Sequence, residues 1–196
     1  MKVEISEIIE EVLIRMDESP EILDDYVEYG SPQFDLRELI KNLIPETAVA
    51  VVATADLSDL SEWEEMSGEV TTLCIGKHPI RRIFILPEDF CRMVYVRMSD
   101  WTECVVETMR DAEATLSLRR HWEGRDGAGT GSPAVSLCRY NGRRGLEIFG
   151  SGAGSRVAEG GYLASPSIEG ESLRFPPSLK GELIRKLIET INGIRR

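Results

Sequence analysis

The sequence predicts an α+β protein with helices toward both ends and an antiparallel β region between them. Three observations carry this. Apolar residues recur at three- and four-residue steps near the start and the end of the 196-residue chain, the spacing of one helix face. Between about residues 70 and 175, short runs rich in Val, Ile, Phe and Tyr are separated by Gly, Pro and Asn, the pattern of strands and turns. Hydrophobic residues make up 42% and charged residues 29%, a balance that supports a packed core rather than a disordered chain. The length suits one folded unit with three parts: an acidic helical part over 1–69, a β-rich part with long Gly-rich loops over 70–175, and a C-terminal helix over 176–196 that packs back on the N-terminal helices.

Ile5, Ile8, Ile9, Val12, Leu13 and Met16 form the stripe of a first helix, which Pro20 ends. A second helical stretch is expected over Ile22–Tyr29, before Gly30-Ser31-Pro32 breaks the chain. Asp35 to Glu38 has the form of a capping box, and Leu36, Leu39, Ile40, Leu43 and Ile44 then share a face. Pro45 either breaks this helix or opens the next, so residues 35–56 read as mainly helical. The segment DLSDLSEWEEMSGE at 56–69 is too acidic for an interior and reads as a connection, with Trp63 as its anchor.

Val70–Ile75 and Ile80–Leu86 read as strands joined through Gly-Lys-His-Pro, and Phe90–Met98 as a third. Strict alternation along the third places Phe90, Arg92, Val94, Val96 and Met98 on one face and Cys91, Met93, Tyr95 and Arg97 on the other. Residues 111–122 read as a helix, followed by a Gly-rich loop to Pro133. Ala134–Tyr140 and Leu146–Phe149 form a strand pair around Asn141-Gly142, a strong hairpin signal. A further strand is expected over Arg156–Ala164. Leu179, Leu183, Ile184, Leu187, Ile188 and Ile191 line the final helix, with Pro177 near its start and Gly193 at its end.

The formal net charge is −11, the wrong sign for a general nucleic-acid clamp, which needs Lys and Arg to displace counterions from phosphates. The charge is segregated: residues 1–69 hold 19 acids and 4 bases, residues 70–196 hold 15 acids and 19 bases. The N-terminal MKVEISEIIEEV interleaves acids with apolar residues, unlike a secretion signal, and no run reaches the roughly 20 apolar residues of a membrane helix. A cytosolic or virion location without membrane contact is expected. Cys74, Cys91, Cys104 and Cys138 show no C-x-x-C spacing, and His78 and His121 add little to them, so no metal site is expected; four reduced, mostly buried thiols are.

Two Gly-rich loops invite a phosphate-binding reading. GAGTGS at 127–132 follows a helix and lacks the lysine of a P-loop, and GSGAGS at 150–155 runs on into another strand, so no cofactor is expected. Glu64-Glu65 and Glu88-Asp89 are adjacent carboxylates, but acid–base catalysis needs a separation set by the fold. In Leu86-Pro87-Glu88-Asp89-Phe90 they read as turn residues. His121 has no Ser or Cys nucleophile motif to serve, so no catalytic residue is assigned. The arginines come as adjacent pairs, Arg81-Arg82, Arg119-Arg120 and Arg143-Arg144, suited to bidentate contact with carboxylates. They are either solvated side chains at element ends or partners for acidic surface on a neighbouring subunit, with Arg119, Arg120, Trp122, Arg143, Arg144 and Trp63 as the candidate interface residues.

The segment ILPEDFCRMVYVRMSDW resembles the ring or adaptor proteins of the neck of tailed bacteriophages, particularly those of crAss-like gut phages. The matching positions are Leu86, Pro87, Glu88, Asp89, Phe90, Met98, Ser99, Asp100 and Trp101. The match is specific over Ile83–Trp101 and architectural elsewhere. The Gly-rich 124–133 loop and the charged C-terminal helix depart from the family pattern. The resemblance implies an adaptor-like helical bundle with a β insertion, and a homo-oligomer, a twelve-fold ring in the virion neck assembled in the host cytoplasm. Such a ring has the portal and other neck or tail proteins as partners, and genomic DNA only as cargo. The alternatives are a prophage- or host-encoded soluble protein-binding module and a small acid–base hydrolase.

Overall fold

The structure is a computed structural model, which describes residues 2–17, 36–75, 78–109, 111–122, 132–152 and 154–194. In chain order its elements are β1 (Val3–Glu4), α1 (Ile5–Asp17), α2 (Leu36–Thr54), β2 (Glu64–Glu65), β3 (Thr71–Ile75), β4 (His78–Ile85) and β5 (Phe90–Met98). There follow α3 (Ala112–Trp122), β6 (Ala134–Tyr140), β7 (Arg143–Phe149), β8 (Val157–Ala164), β9 (Ser167–Glu169), β10 (Ser172–Arg174) and α4 (Lys180–Ile194). The protein is thus mixed α and β, with three antiparallel sheets among the described residues. The expected helix at Ile22–Tyr29, the capping residue Asp35, the Gly-Lys turn at 76–77 and most of the Gly-rich loop after Trp122 lie outside the described residues.

The chain divides into two compact units, one of Met1–Glu62 with Ser165–Arg196, the other of Trp63–Ala164. In the first, α4 packs against both α1 and α2, which also touch each other. The periodic stripes are what they bury: Ile8 and Val12 from α1, Ile40, Ile44, Val51 and Val52 from α2, and Leu183, Ile184, Leu187 and Ile191 from α4. Each such side chain contributes roughly 1.5–3 kcal/mol. Lys180 reaches Glu7 and Glu11 of α1 at 3.2 Å each, joining the start of α4 to α1. Pro45 lies inside α2 rather than at a boundary. Pro45 and Lys41 are both exposed, so the proline, which cannot donate to the Lys41 carbonyl, lies on the solvent side of the helix. The final helix likewise runs past Gly193 to Ile194.

Three short strands escape a periodicity reading. β1 pairs with β10, and β10 with β9, through Val3↔Leu173 and Leu173↔Ile168. Val3, Leu173 and Phe175 are buried. Two- and three-residue strands offer no alternation to read; pairing alone defines them.

The second unit holds two sheets, of order β2-β8-β5 and β3-β4-β7-β6. One core joins them, drawing Phe84, Leu146 and Ile148 from the four-stranded sheet and Phe90, Val96, Met98 and Val157 from the three-stranded one. The segment 56–69 is more than a connection: β2 pairs Glu64 with Tyr162 and Glu65 with Gly161, and Met66 is buried.

The strict alternation expected for β5 fails. Its buried residues are Phe90, Met93, Val96 and Met98, because the pairing with β8 shifts register between Phe90 and Arg92, Met93 and Tyr95, and Arg97 and Met98. Each such irregularity turns the following side chains toward the other face, so Met93 joins Phe90 and Val96 in the core.

Candidate functional site

The polar residues of the β unit are organised around the Ile83–Trp101 segment and the loop 150–156. Pro87 opens a turn, and the Phe90 N–H donates to the Pro87 carbonyl at 3.2 Å. Asp89 accepts from the Tyr162 hydroxyl at 3.0 Å, and Phe90 stacks on Tyr162 at 5.7 Å. The acidic pair therefore stands in a turn, as its place after proline predicts. Arg144 closes this turn from β7: its carbonyl accepts from the Leu86 N–H at 3.1 Å, and its guanidinium donates to the Phe90 carbonyl at 2.7 Å. The guanidinium carbon lies 5.2 Å from the Phe90 ring centroid, a cation–π distance.

The other end of the segment holds the GSGAGS loop at several of its described residues. The Ser99 N–H donates to the Arg156 carbonyl at 2.9 Å, and the Ser99 hydroxyl accepts from the Arg156 N–H at 3.2 Å. Asp100 accepts from the Ser151 hydroxyl at 3.1 Å and from the Gly152 N–H at 2.6 Å. The Trp101 indole N–H donates to the Gly150 carbonyl at 2.9 Å. Arg82 donates to the Ser151 carbonyl from the four-stranded sheet. Burial pushes the Asp100 carboxyl up, but hydrogen bonds from Gly152, Ser155 and Ser151 more than offset this and hold it below the ordinary range. The Gly152 amide is thus engaged by a carboxylate of the same chain.

A second polar cluster forms where α3 meets the four-stranded sheet. Glu147, only 1% exposed, accepts from Arg81 Nε at 3.0 Å and Nη2 at 2.9 Å, and from Arg119 Nε at 2.9 Å and Nη2 at 2.6 Å. Burial again raises this carboxyl, and the two guanidinium forks, Arg119 first, outweigh it and leave it lowered. Asp111 caps α3 by accepting from the Glu113 N–H at 2.8 Å. Arg119 lies within two turns of that cap, over β4 and β7.

The structure therefore separates the members of each arginine pair. Arg81 and Arg119 converge on Glu147, Arg82 serves Ser151, and Arg144 serves Phe90, whereas Arg120 and Arg143 are exposed. Successive residues of a strand face opposite ways, which splits Arg81-Arg82 and Arg143-Arg144, and successive residues of a helix point about 100° apart, which splits Arg119-Arg120. Trp63 is 40% exposed and meets Tyr95 edge-on at 6.0 Å, over Gly161. A Cβ at Gly161 would lie 2.7 Å from both rings. Trp122 ends α3, and its side chain lies outside the described residues. Among the candidate interface residues, Arg120, Arg143 and Arg144 are exposed and Trp63 partly so, while Arg119 and Arg144 bond to groups of their own chain.

A comparison with protein-family models finds no match, and a search of curated proteins finds none either. Residue chemistry is thus the guide. Contrary to the expectation of mostly buried thiols, Cys74 and Cys104 are exposed and Cys91 and Cys138 half-buried; all four are free. Cys74 lies on β3, an edge strand of its sheet, and Cys104 in the turn after Trp101. Burial pushes the Cys91 and Cys138 thiols up, which keeps them protonated and unreactive near neutrality. No group of three or more His, Cys, Asp or Glu among the described residues is arranged to hold a metal, and no described helix is long and apolar enough to cross a membrane.

Glu147 is the functionally shaped residue that sequence reading missed. Its signal was present: it is the one charge inside Leu146-Glu147-Ile148-Phe149, and a charge in an apolar strand requires a partner. The partners, 28 and 66 residues away, have no local signature.

Proposed function

We propose that this chain is a structural, non-enzymatic subunit of a tailed-phage virion, a ring protein of the neck that connects the portal vertex to the tail and lets the genome pass. The observation that carries this reading is the role of the residues matching the family segment. Leu86, Phe90, Met98 and Trp101 are buried in the β unit's core, while Ser99, Asp100 and Trp101 clasp the 150–156 loop. The likeness thus includes four core positions and, in Ser99 and Asp100, two exposed residues whose hydrogen bonds hold the loop; Glu88 is exposed.

Two further features support it. The β unit, Trp63–Ala164, interrupts a unit made of Met1–Glu62 and Ser165–Arg196, a chain order that supports the reading of a helical part with a β insertion. The polar constellations around Asp89, Asp100 and Glu147 hold backbone and sheet in place, as a building block requires. In this reading the bundle of α1, α2 and α4 is adaptor-like, the ring is twelve-fold, the portal and neighbouring neck or tail proteins are its partners, and DNA is cargo. The subunit assembles in the host cytoplasm and resides in the virion neck.

The test is co-expression of the full chain with the portal protein encoded in the same genome, followed by native mass spectrometry and electron microscopy of the complex. Twelve copies on a portal are expected. A chain that stays monomeric and never joins the portal would sink the reading in favour of a soluble protein-binding module.

A further inference from the structure

A concentration of exposed cationic groups lies at the tip of the β6–β7 hairpin. Asn141 and Gly142 both have positive φ, 49° and 79°, the requirement of a tight type I′ turn that carries the right-handed twist of its strands. The turn brings Arg139 directly opposite Arg144, and Tyr140 opposite Arg143. Like charges directly opposed across a ladder destabilise it. Arg144 is tied back to the Phe90 carbonyl and ring. Arg139 and Arg143 are exposed, and no acidic group among the described residues pairs with either.

Acidic surplus lies in the other unit. Met1–Glu62 with Ser165–Arg196 holds 20 Asp and Glu against 10 Lys and Arg, whereas Trp63–Ala164 holds 14 against 13. On the helices, Glu10 of α1 and Glu46 of α2 are exposed, with no cation beside them among the described residues.

We infer that the β6–β7 hairpin tip is a docking knob for a second copy of this chain, with Arg139 and Arg143 seated against exposed carboxylates of that copy's helical unit. This rests on the ring reading above and names its contact. Every copy carries both a basic tip and an acidic unit, so the contact is heterologous, and heterologous contacts close into rings when the rotation allows. Opposite charges set the orientation of the encounter, and the alternative pairings, tip on tip or helix on helix, are repelled. A nucleic-acid backbone is the poorer occupant, since the chain's net charge of −11 opposes a polyanion at every distance beyond the tip itself.

The experiment uses full-length chain with its portal, comparing wild type with R139E/R143E and the milder R139Q/R143Q. Each variant is first checked for a native circular-dichroism spectrum and an unchanged melting temperature; neither residue has an ionic partner to lose among the described residues. Assembly is then read by native mass spectrometry from about 0.05 to 0.5 M salt. The expected result is a loss of assembled ring of about tenfold or more for the Glu variant, a smaller loss for the Gln variant, and weakening of the wild-type ring with salt. Recovery of the Glu variant on adding E10R/E46R identifies the exposed carboxylates. A wild-type ring with both variants assembling equally overturns this contact and leaves the ring standing. A wild type that forms no ring with the portal overturns the ring reading itself. Binding of a short DNA duplex that is lost in R139E/R143E, with assembly intact, replaces the second copy by a phosphate backbone.

Discussion

The Trp101 indole N–H donates to the Gly150 carbonyl at 2.9 Å, so the tryptophan that ends one apolar strand segment holds the first residue of a Gly-rich loop 49 residues later. With Ser99 and Asp100 it clasps Gly150, Ser151, Gly152 and Arg156, while Gly150 and Gly154 supply the positive φ, 78° and 79°, that the path also requires. Removing one clasp should loosen the loop before it unfolds the β unit.

Trp101→Phe keeps an aromatic ring in the core but leaves the Gly150 carbonyl without this donor. A loss of about 1–3 kcal/mol is expected, the penalty for a buried polar group deprived of its partner. Denaturant unfolding measures the loss, and amide exchange at Gly152, whose N–H Asp100 accepts, should rise more than exchange in β7.

Glu147→Gln should be among the most damaging single changes, by about 3–5 kcal/mol, since it strands two partly buried guanidinium groups. Arg119→Ala should cost less because Arg81 remains, and Arg120→Ala should fall within about 0.5 kcal/mol of wild type. Equal melting temperatures for the Arg119 and Arg120 variants would contradict the geometry around Glu147.

The Glu147 and Asp100 carboxyls are both lowered in the folded protein. A carboxyl with a depressed folded pKa adds stability that is complete above its unfolded value and disappears as pH falls through the folded one. Stability should therefore hold from neutrality down to about pH 4 and fall steeply below it. In the Glu147→Gln variant the acid limb of the melting-temperature profile should be shallower than in wild type.

Gly161→Ala places a methyl group 2.7 Å from Trp63 and Tyr95. Both rings are rigid and pack on each other, so about 1–3 kcal/mol of destabilisation is expected from overpacking. Trp63→Ala in the same chain should relieve part of it; strictly additive losses would show that the rings do not meet over Gly161.

Pro45→Ala restores an N–H for the Lys41 carbonyl and is expected to raise stability by about 1–3 kcal/mol. A drop in melting temperature would mean that the bend proline imposes is needed for α2 to pack against α4.

The sequence by itself determined the strongly periodic and the chemically punctuated elements. Ile8 and Val12 in α1 and Leu183 and Leu187 in α4 repeat at the helical step, and Asn141-Gly142 is a turn wherever it stands between two strands. Leu86-Pro87-Glu88-Asp89-Phe90 was legible as a turn for the same reason: local sterics act on neighbours in the chain. Tertiary structure alone decided the rest. The register shifts that carry Met93 into the core exist only in the pairing of β5 with β8. The split of Arg119 from Arg120, and the capture of Arg144 by Phe90, depend on which element lies across from each. Glu147 needed partners from α3 and β4 to become a buried junction, and the 150–155 loop needed Ser99, Asp100 and Trp101 to take its shape. Contacts between residues tens of positions apart leave no period in the sequence, since chain spacing constrains only what a few residues of backbone can reach.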